Sequence, residues 1–492
     1  MSFTPFKLLS MRGKAKVLHM SWIAFFISFV IWFNHASLLV LIQQDLGISE
    51  TQIEILLLLN VALTIPARVI TGMLVDRFGA KISYSVLLAV CSIPCFMFAM
   101  AENFTELAWS RFLLGFIGAG FVVGVRIIGD WFPASQVGTA EGIYAGWGNF
   151  GSAVAAIFLP GLAFYFGAEH GWRSAIALTG VIALVYSVIY YFSVENLPPE
   201  IAALKTRRPM AMEVTSIRDL FLYMLSLVPL YATISLLAWK LSTPATPVLT
   251  EGWNLTIHAV VWLLFLIHVF QLVNNNADRL SQPIASIHHY QYRQVFILAI
   301  AYLITFGSKL AVLSMLPMFF FKTFNETQGT SMLDAGFLAS SFVVTNVIAR
   351  PAGGWLSDKI GRKLSLYLFV AGLAGGYCLM AMISAQWTIL ATVAVTLLCS
   401  IFMQAAEGAI FAFVPLVKRA ITGEVAGIVG AYGNAGAIVY LILLTFVSTG
   451  QFFLILGLSC FLLLGLIYYL EEPKNYITEI MPDGSLLKIA LD

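Results

Sequence analysis

The chain has 492 residues, of which 60% are hydrophobic and only 11% charged, and its formal net charge is +2. Such a composition excludes a soluble globular domain, and the near-neutral balance excludes the basic surface that nucleic-acid binding needs. Cys91, Cys95, Cys378, Cys399 and Cys460 all lie in apolar runs, the setting of packed thiols and not of disulfides or metal ligands.

A helix crosses a bilayer with ~20 apolar residues, and about fourteen stretches reach that length. Six begin near Val17, Gln52, Tyr84, Glu106, Gly138 and Arg173, and six more near Gln294, Leu333, Leu364, Trp387, Gly423 and Gln451. The other two, at 220–239 and 256–273, lie between these sets. We therefore expect an all-α membrane protein of two six-helix bundles with an inserted two-helix hairpin. Its divisions are 1–197, a connector with the hairpin at 198–293, a second bundle at 294–470 and a tail at 471–492.

Lys7, Arg12, Lys14 and Lys16 precede the first span, which puts the N-terminus in the cytoplasm. That span is too long for a cleaved leader and reads as a retained helix. Arg77 with Lys81, Lys205, Arg207, Arg208, Arg218, Arg293, Lys359, Arg362, Lys363, Lys418 and Arg419 fall on the same side. Loops at 43–54, 101–106, 384–387 and 448–451 contain no Lys or Arg, whereas Arg173, Lys240 and Lys322 break the pattern. Both termini are thus expected inside a multi-pass protein of the inner cell membrane.

Span one carries Asn34 and His35, and the imidazole reads as a packing residue. Span two ends in IPARVITGMLVDRFGAK at 65–81, a design that returns at 346–363 as NVIARPAGGWLSDKIGRK. Arg68 pairs with Arg350, Gly72 with Gly354, Asp76 with Asp358, Gly79 with Gly361 and Lys81 with Lys363, each pair 282 positions apart. Arg68 precedes Asp76 by eight residues, so it lies ~12 Å inside the cytoplasmic edge. An unpaired arginine at that depth costs at least ~2.5–3.5 kcal/mol, which makes an anion its natural partner. Glycines in the 72–81 turn permit close helix approach and leave Asp76 free to sit at another helix's positive N-terminal end. The expected partner is the span beginning near Gly423; by symmetry Asp358 faces the one beginning near Gly138. With Arg77, these groups are candidate gate residues.

Span four, GFIGAGFVVGVRIIGDWFP at 115–133, places Phe121 ~16 Å deep and Arg126 nearer the edge as an interhelical anchor. Span five, GTAEGIYAGWGNFGSAVAA at 138–156, has the small residues of a tightly packed membrane helix. Its Asn149 also lies ~16 Å deep. Residues 198–218 are polar and basic, and the hairpin after them reads as peripheral and structural.

In span seven, Tyr302, Phe306 and Lys309 share one helix face, with Phe306 ~18 Å deep. Arg350 follows in span eight and Glu407, an intramembrane carboxylate, in span ten. Span eleven repeats the fifth: Gly142, Gly148, Asn149 and Gly151 map onto Gly427, Gly433, Asn434 and Gly436, each 285 positions on.

Arg68, Phe121, Asn149, Phe306, Arg350, Glu407 and Asn434 all fall ~12–18 Å from the cytoplasmic face, the midplane of a core ~30 Å thick. Duplicated transporters place substrate at that level, between the halves. Two guanidiniums without an equally repeated carboxylate suit a small planar oxyanion, which their rigid forks can grip. Phenylalanines could flank a flat ligand, and asparagines could donate to its remaining oxygens. Phosphate-loop, zinc-ligand and nucleophile–base patterns are missing, so neither an enzyme nor a cofactor or metal is expected.

The 72–81 turn resembles the GxLxDRxGxK loop of the major facilitator superfamily. IPARVITGMLVDRFG, GTAEGIYAGWGNFGSA, YLITFGSKLA and ARPAGGWLSDKIG resemble the nitrate/nitrite porter family within it, the inserted pair being similar to a bacterial nitrate permease subgroup. The resemblance spans the twelve core helices and leaves out the hairpin and tail. It implies a major facilitator fold in which Arg68 and Arg350 bind nitrate or nitrite, sandwiched by Phe121 and Phe306. Tyr302 and Asn149 would contact the anion or an arginine, with Asn434 as repeat partner. Asp76, Arg77, Asp358, Gly148 and Gly433 would serve the gate.

Lys309 stands where the proton-coupled branch is expected to carry an acid, and Glu407 could supply the titratable partner instead. An anion entering against an inside-negative potential is opposed by ~2.3 kcal/mol per 100 mV. Uptake therefore needs accompanying protons or exchange for an internal anion; symport by a monomer is the favoured expectation. Exchange of nitrate for nitrite, or carriage of another small anion, stays open.

Overall fold

A computed structural model describes residues 11–167, 170–197, 214–243, 249–281, 290–330, 332–472, 476–480 and 486–490. Lys7, Lys205, Arg207, Arg208 and most of the connector lie outside these residues. The first half runs α1 (Gly13–Phe33), α2 (Leu39–Leu46), α3 (Glu50–Ala62), α4 (Thr64–Phe78) and α5 (Ala80–Ala99). It continues with α6 (Phe104–Leu114), α7 (Gly120–Trp131), α8 (Ala134–Asn149), α9 (Gly151–Phe166) and α10 (Gly171–Ser193). After α11 (Ile217–Leu241) and α12 (Glu251–Leu280) come α13 (Tyr292–Gln328), α14 (Met332–Val344), α15 (Asn346–Ile360), α16 (Arg362–Ala381), α17 (Ile389–Val417), α18 (Thr422–Leu444) and α19 (Thr449–Ile467). Thirteen stretches among the described residues are long and apolar enough to cross a membrane, and the fourteenth seen in the sequence folds as α14 with α15.

The duplication is written into the helix limits. α4 and α15 are each 15 residues long and α5 and α16 each 20, with both boundaries in each pair 282 positions apart. Between them Gly79 and Gly361 take φ of +81° and +97°, a backbone region glycine enters without steric penalty. Pro66 occupies the first turn of α4, where its missing N–H costs no helical bond, and its ring disfavours continuing the preceding helix. On the outer face, Val86, Val90, Ile93 and Met97 of α5 are exposed at helical spacing, as a lipid solvent allows.

The halves meet along two related seams, α8 against α15 and α18 against α4. A Cβ on Gly354 would lie 2.0 Å from the Gly138 carbonyl, and one on Gly72 would lie 2.5 Å from that of Gly423. Both seams therefore depend on missing side chains to bring helix backbones together.

The inserted pair sits beside the second half. Tyr223 of α11 stacks on Tyr292 at 4.8 Å, Ser226 and Tyr292 share a hydrogen bond of 2.6 Å, and Tyr432 donates to the Ser226 carbonyl. α12 packs against α11 and leaves Leu263, Leu266 and Phe270 exposed. In the tail, β1 (Tyr476–Ile480) pairs antiparallel with β2 (Leu486–Ala490), a small hairpin outside the helical bundle.

Candidate anion-binding site

Arg68 is 1% exposed, fixed by α4 at the seam with α18. Its Nε donates to the Gly118 carbonyl at 3.2 Å and its Nη1 to the Gly430 carbonyl of the other half at 2.6 Å. With its amide turned to satisfy both groups, the Asn434 carbonyl oxygen accepts from Arg68 Nε at 3.1 Å and Nη1 at 3.2 Å. Among the described residues its hydrogen-bond acceptors are all neutral. The faces of Phe121, Phe306 and Trp32 lie 5.5, 5.4 and 5.9 Å from its guanidinium carbon.

Arg350, on α15, has a different setting. It forms an ion pair with Glu407, whose same oxygen, Oε2, lies 3.2 Å from Lys309 Nζ. Lys309 also donates to Gln404 at 2.9 Å. Nε and Nη2 of Arg350 have no hydrogen-bond partner among the described residues. Its guanidinium carbon lies 5.6 Å from the Phe121 ring and 5.9 Å from Phe411. The acid that the Phe-Gly-Ser-Lys sequence lacks in span seven thus reaches Lys309 from α17.

The expected sandwich of Phe121 and Phe306 is already filled. Tyr302 stacks on Phe121 at 6.2 Å with 9° between planes, and on Phe306 at 4.9 Å with 19°. Phe411 closes both Phe121 and Tyr302 edge-on at 4.5 and 4.9 Å. Two repeat glycines leave room for aromatic rings: a Cβ on Gly433 would lie 2.6 Å from Tyr302, and one on Gly148 would lie 2.0 Å from Phe25, whose ring lies 5.4 Å from Phe121. Asn149, where α8 gives way to α9, leaves its Oδ1 without a partner among the described residues, so Asn434 and not Asn149 holds an arginine.

At the end of the bundle carrying the N-terminus, two carboxylates cross the seams. Asp76 accepts from the Gly423 and Glu424 N–H groups at 3.1 and 2.9 Å, at the N-terminus of α18. Asp358 accepts from Gly138 and Thr139 N–H groups at 3.1 and 2.7 Å and from the Thr139 hydroxyl at 2.8 Å. α8 begins at Ala134, so this second contact falls one turn inside the helix; Arg362 donates to the Ala134 carbonyl. Arg77 is exposed and lies over Phe78 at 5.2 Å, whereas Arg126 is buried. Arg126 pairs with Asp76 at 3.2 Å and Asp130 at 3.1 Å and reaches the Arg419 carbonyl across the seam.

Several contributors escaped sequence reasoning. Gln404, Phe411, Trp32 and Phe25 carry no motif signal, although a scan for large residues at the depth of Arg68 would have raised them. Arg111, buried in α6, donates to the Trp32 carbonyl, Asn60 and Asn34, and so braces the ring facing Arg68. His35 is buried in the same half and its ring lies edge-on to Phe98 at 6.4 Å.

The chain matches the Major Facilitator Superfamily over residues 21–439 and again over 298–482. It is 41% identical to the nitrate/nitrite transporter NrtP of Picosynechococcus sp., over 96% of this chain and 95% of that protein. NrtP of Nostoc punctiforme is 39% identical over 95% of each, and the high affinity nitrate transporter 2.7 of Arabidopsis thaliana is 26% identical over 89% of this chain and 78% of that one. Among solved structures, the transporter FucP in the outward conformation superposes with a TM-score of 0.62 at 14% identity, covering 94% of this chain and all, 100%, of that chain. The human organic anion transporter MFSD10 gives 0.61 at 13% identity, covering 93% and 100%.

Proposed function

The chain belongs to the nitrate/nitrite porter family of the major facilitator superfamily, and on that premise we propose that it carries nitrate and nitrite by alternating access, with Arg68 and Arg350 holding the anion. A member of this family is a multi-pass membrane carrier and not an enzyme. One observation carries the site assignment. Arginines from equivalent positions of the two halves, both buried, bring their guanidinium carbons to 5.5 and 5.6 Å from one ring, Phe121. A flat monovalent anion bridging them would engage both forks, and any rocking of 1–197 against 294–470 would alter its grip. Tyr302 would yield its place between Phe121 and Phe306, while Asn434 keeps Arg68 oriented. Asp76 and Asp358 would close the cytoplasmic side, and Gly148 and Gly433 would let the aromatic rings slide.

Proton coupling is the mechanism we favour over nitrate/nitrite exchange, because a carboxylate, Glu407, directly contacts the arginine of the site. Both termini are read as cytoplasmic from the basic-residue bias, in the inner cell membrane. Both arginines come from one chain, so a monomer completes the site. Purified protein in proteoliposomes, supplied with nitrate or nitrite under clamped pH and voltage, tests the proposal. Uptake driven by a proton gradient supports symport; uptake that ignores the gradient and needs internal nitrite makes the protein an exchanger. Formate or chlorate displacing nitrate at equal concentration would instead favour a carrier of other small anions.

A further inference from the structure

We propose that Glu141 is a proton-binding site of this carrier, loading a proton with the anion and releasing it on the other side; the inference rests on the coupled-uptake reading above. Glu141 lies on α8, next to Gly142, whose Cβ would come within 2.7 Å of the Arg350 carbonyl. It is 0% exposed, and neither carboxylate oxygen has a hydrogen-bond partner among the described residues. Charged and titratable groups on the helices around α8 are Lys14, Lys16 and His19 on α1, Arg126 and Asp130 on α7, Tyr165 on α9, Arg350, Asp358 and Lys359 on α15, and Cys399 and Glu407 on α17. Of these, Arg350 is the charge that acts on Glu141.

The other carboxylate near the site is differently placed. Glu407 already holds two cations, Lys309 and Arg350. Burying a carboxylate with no partner costs so much that it carries a proton instead, which is the form the Glu141 environment suits. Arg68, Arg350 and Lys309 against Glu407 and an ionised Glu141 leave one net positive charge. Adding one nitrate and one proton on Glu141 leaves that total unchanged, so loaded and empty carriers cross with equal charge. On the return leg the ionised carboxylate can turn to Arg350 and stand in for the departed anion. Nothing is oxidised or reduced: one proton passes from water on the outer side to a Glu141 oxygen, then to water on the inner side once the α8–α15 seam parts.

The test uses the full chain in proteoliposomes, wild type and Glu141→Gln, with labelled nitrate and voltage held at zero. Two readouts are taken from each: accumulation under an imposed one-unit pH gradient, and nitrate exchange at equal pH. At one proton per anion the wild type should accumulate nitrate about tenfold. Glu141→Gln should lose that accumulation while still exchanging, its exchange showing that it is folded. Accumulation at the wild-type level in the variant overturns the inference and leaves coupling intact. Loss of exchange in parallel with accumulation also overturns it, making Glu141 a packing residue. A wild type that ignores the gradient removes the coupling reading itself, and the inference with it.

Discussion

Glu407 turns one oxygen to Arg350 and to Lys309 alike, while its second oxygen has no hydrogen-bond partner among the described residues. A single buried carboxylate therefore balances two cations beside the candidate site. Removing its charge leaves both stranded in a low-dielectric interior, a loss of ~3–5 kcal/mol for a broken buried pair. Glu407→Gln should lower the thermal unfolding temperature of the purified protein, and saturating nitrate should restore part of the loss by supplying a replacement anion. Thermal stability equal to wild type without nitrate would show that the pair carries no such weight.

The two carboxylates at the seams make a second prediction. Asp76 and Asp358 each accept backbone N–H bonds from the opposite half, and hydrogen bonds to a charged group contribute about 1.5–3 kcal/mol. Asp76→Asn should loosen the cytoplasmic seal by about tenfold or more in population. In a cysteine-free background, the buried position Ala426 changed to cysteine should then react faster with a membrane-permeant thiol reagent. Asp358→Asn should do the same for a cysteine at Ala140, a buried position on α8. Unaltered reaction rates in both would separate these contacts from gating.

Much of this was legible in the chain because it rests on one-dimensional regularities. A constant offset found the duplicated α4–α5 and α15–α16 units, and rise per residue put Arg68, Phe121, Phe306 and Arg350 at one depth. Azimuth was not legible. Depth alone could not tell that Tyr302 stands between Phe121 and Phe306, because that depends on how α13 is rotated against α7. Arg126 shows the same limit: depth read it as an anchor near the edge, but not that its guanidinium turns to Asp76 at 3.2 Å. Glu141 was hidden inside a stretch whose glycines explained it well enough as a packing motif. The unequal partners of Arg68 and Arg350 arise because α17 carries Glu407 and Gln404, a departure from symmetry that a search for repeats passes over.

Gly433 supplies a third prediction. A Cβ there would lie 2.6 Å from Tyr302 and 3.0 Å from Phe306, and overpacking of this kind costs about 1–3 kcal/mol. Gly433→Ala should push both rings toward Arg68 and raise the nitrate concentration for half-maximal uptake, with little change in membrane insertion. Gly465, whose Cβ would meet nothing within 4 Å, serves as the control, and its alanine variant should transport normally. Equal behaviour of the two variants would detach the ring positions from function.

Arg350 can also be asked whether shape or charge matters. Lysine keeps the charge but offers a point donor in place of a planar fork, so Arg350→Lys should fail to bind nitrate while keeping its ion pair with Glu407. Recovery of binding in that variant would make the positive charge sufficient.

Nitrate affinity of purified Arg68→Gln and Arg350→Gln, each measured calorimetrically beside wild type and checked for monodisperse folding, bears most directly on the two-arginine site. Loss of measurable binding in both folded variants is the result expected. Near-native affinity in either one would contradict it.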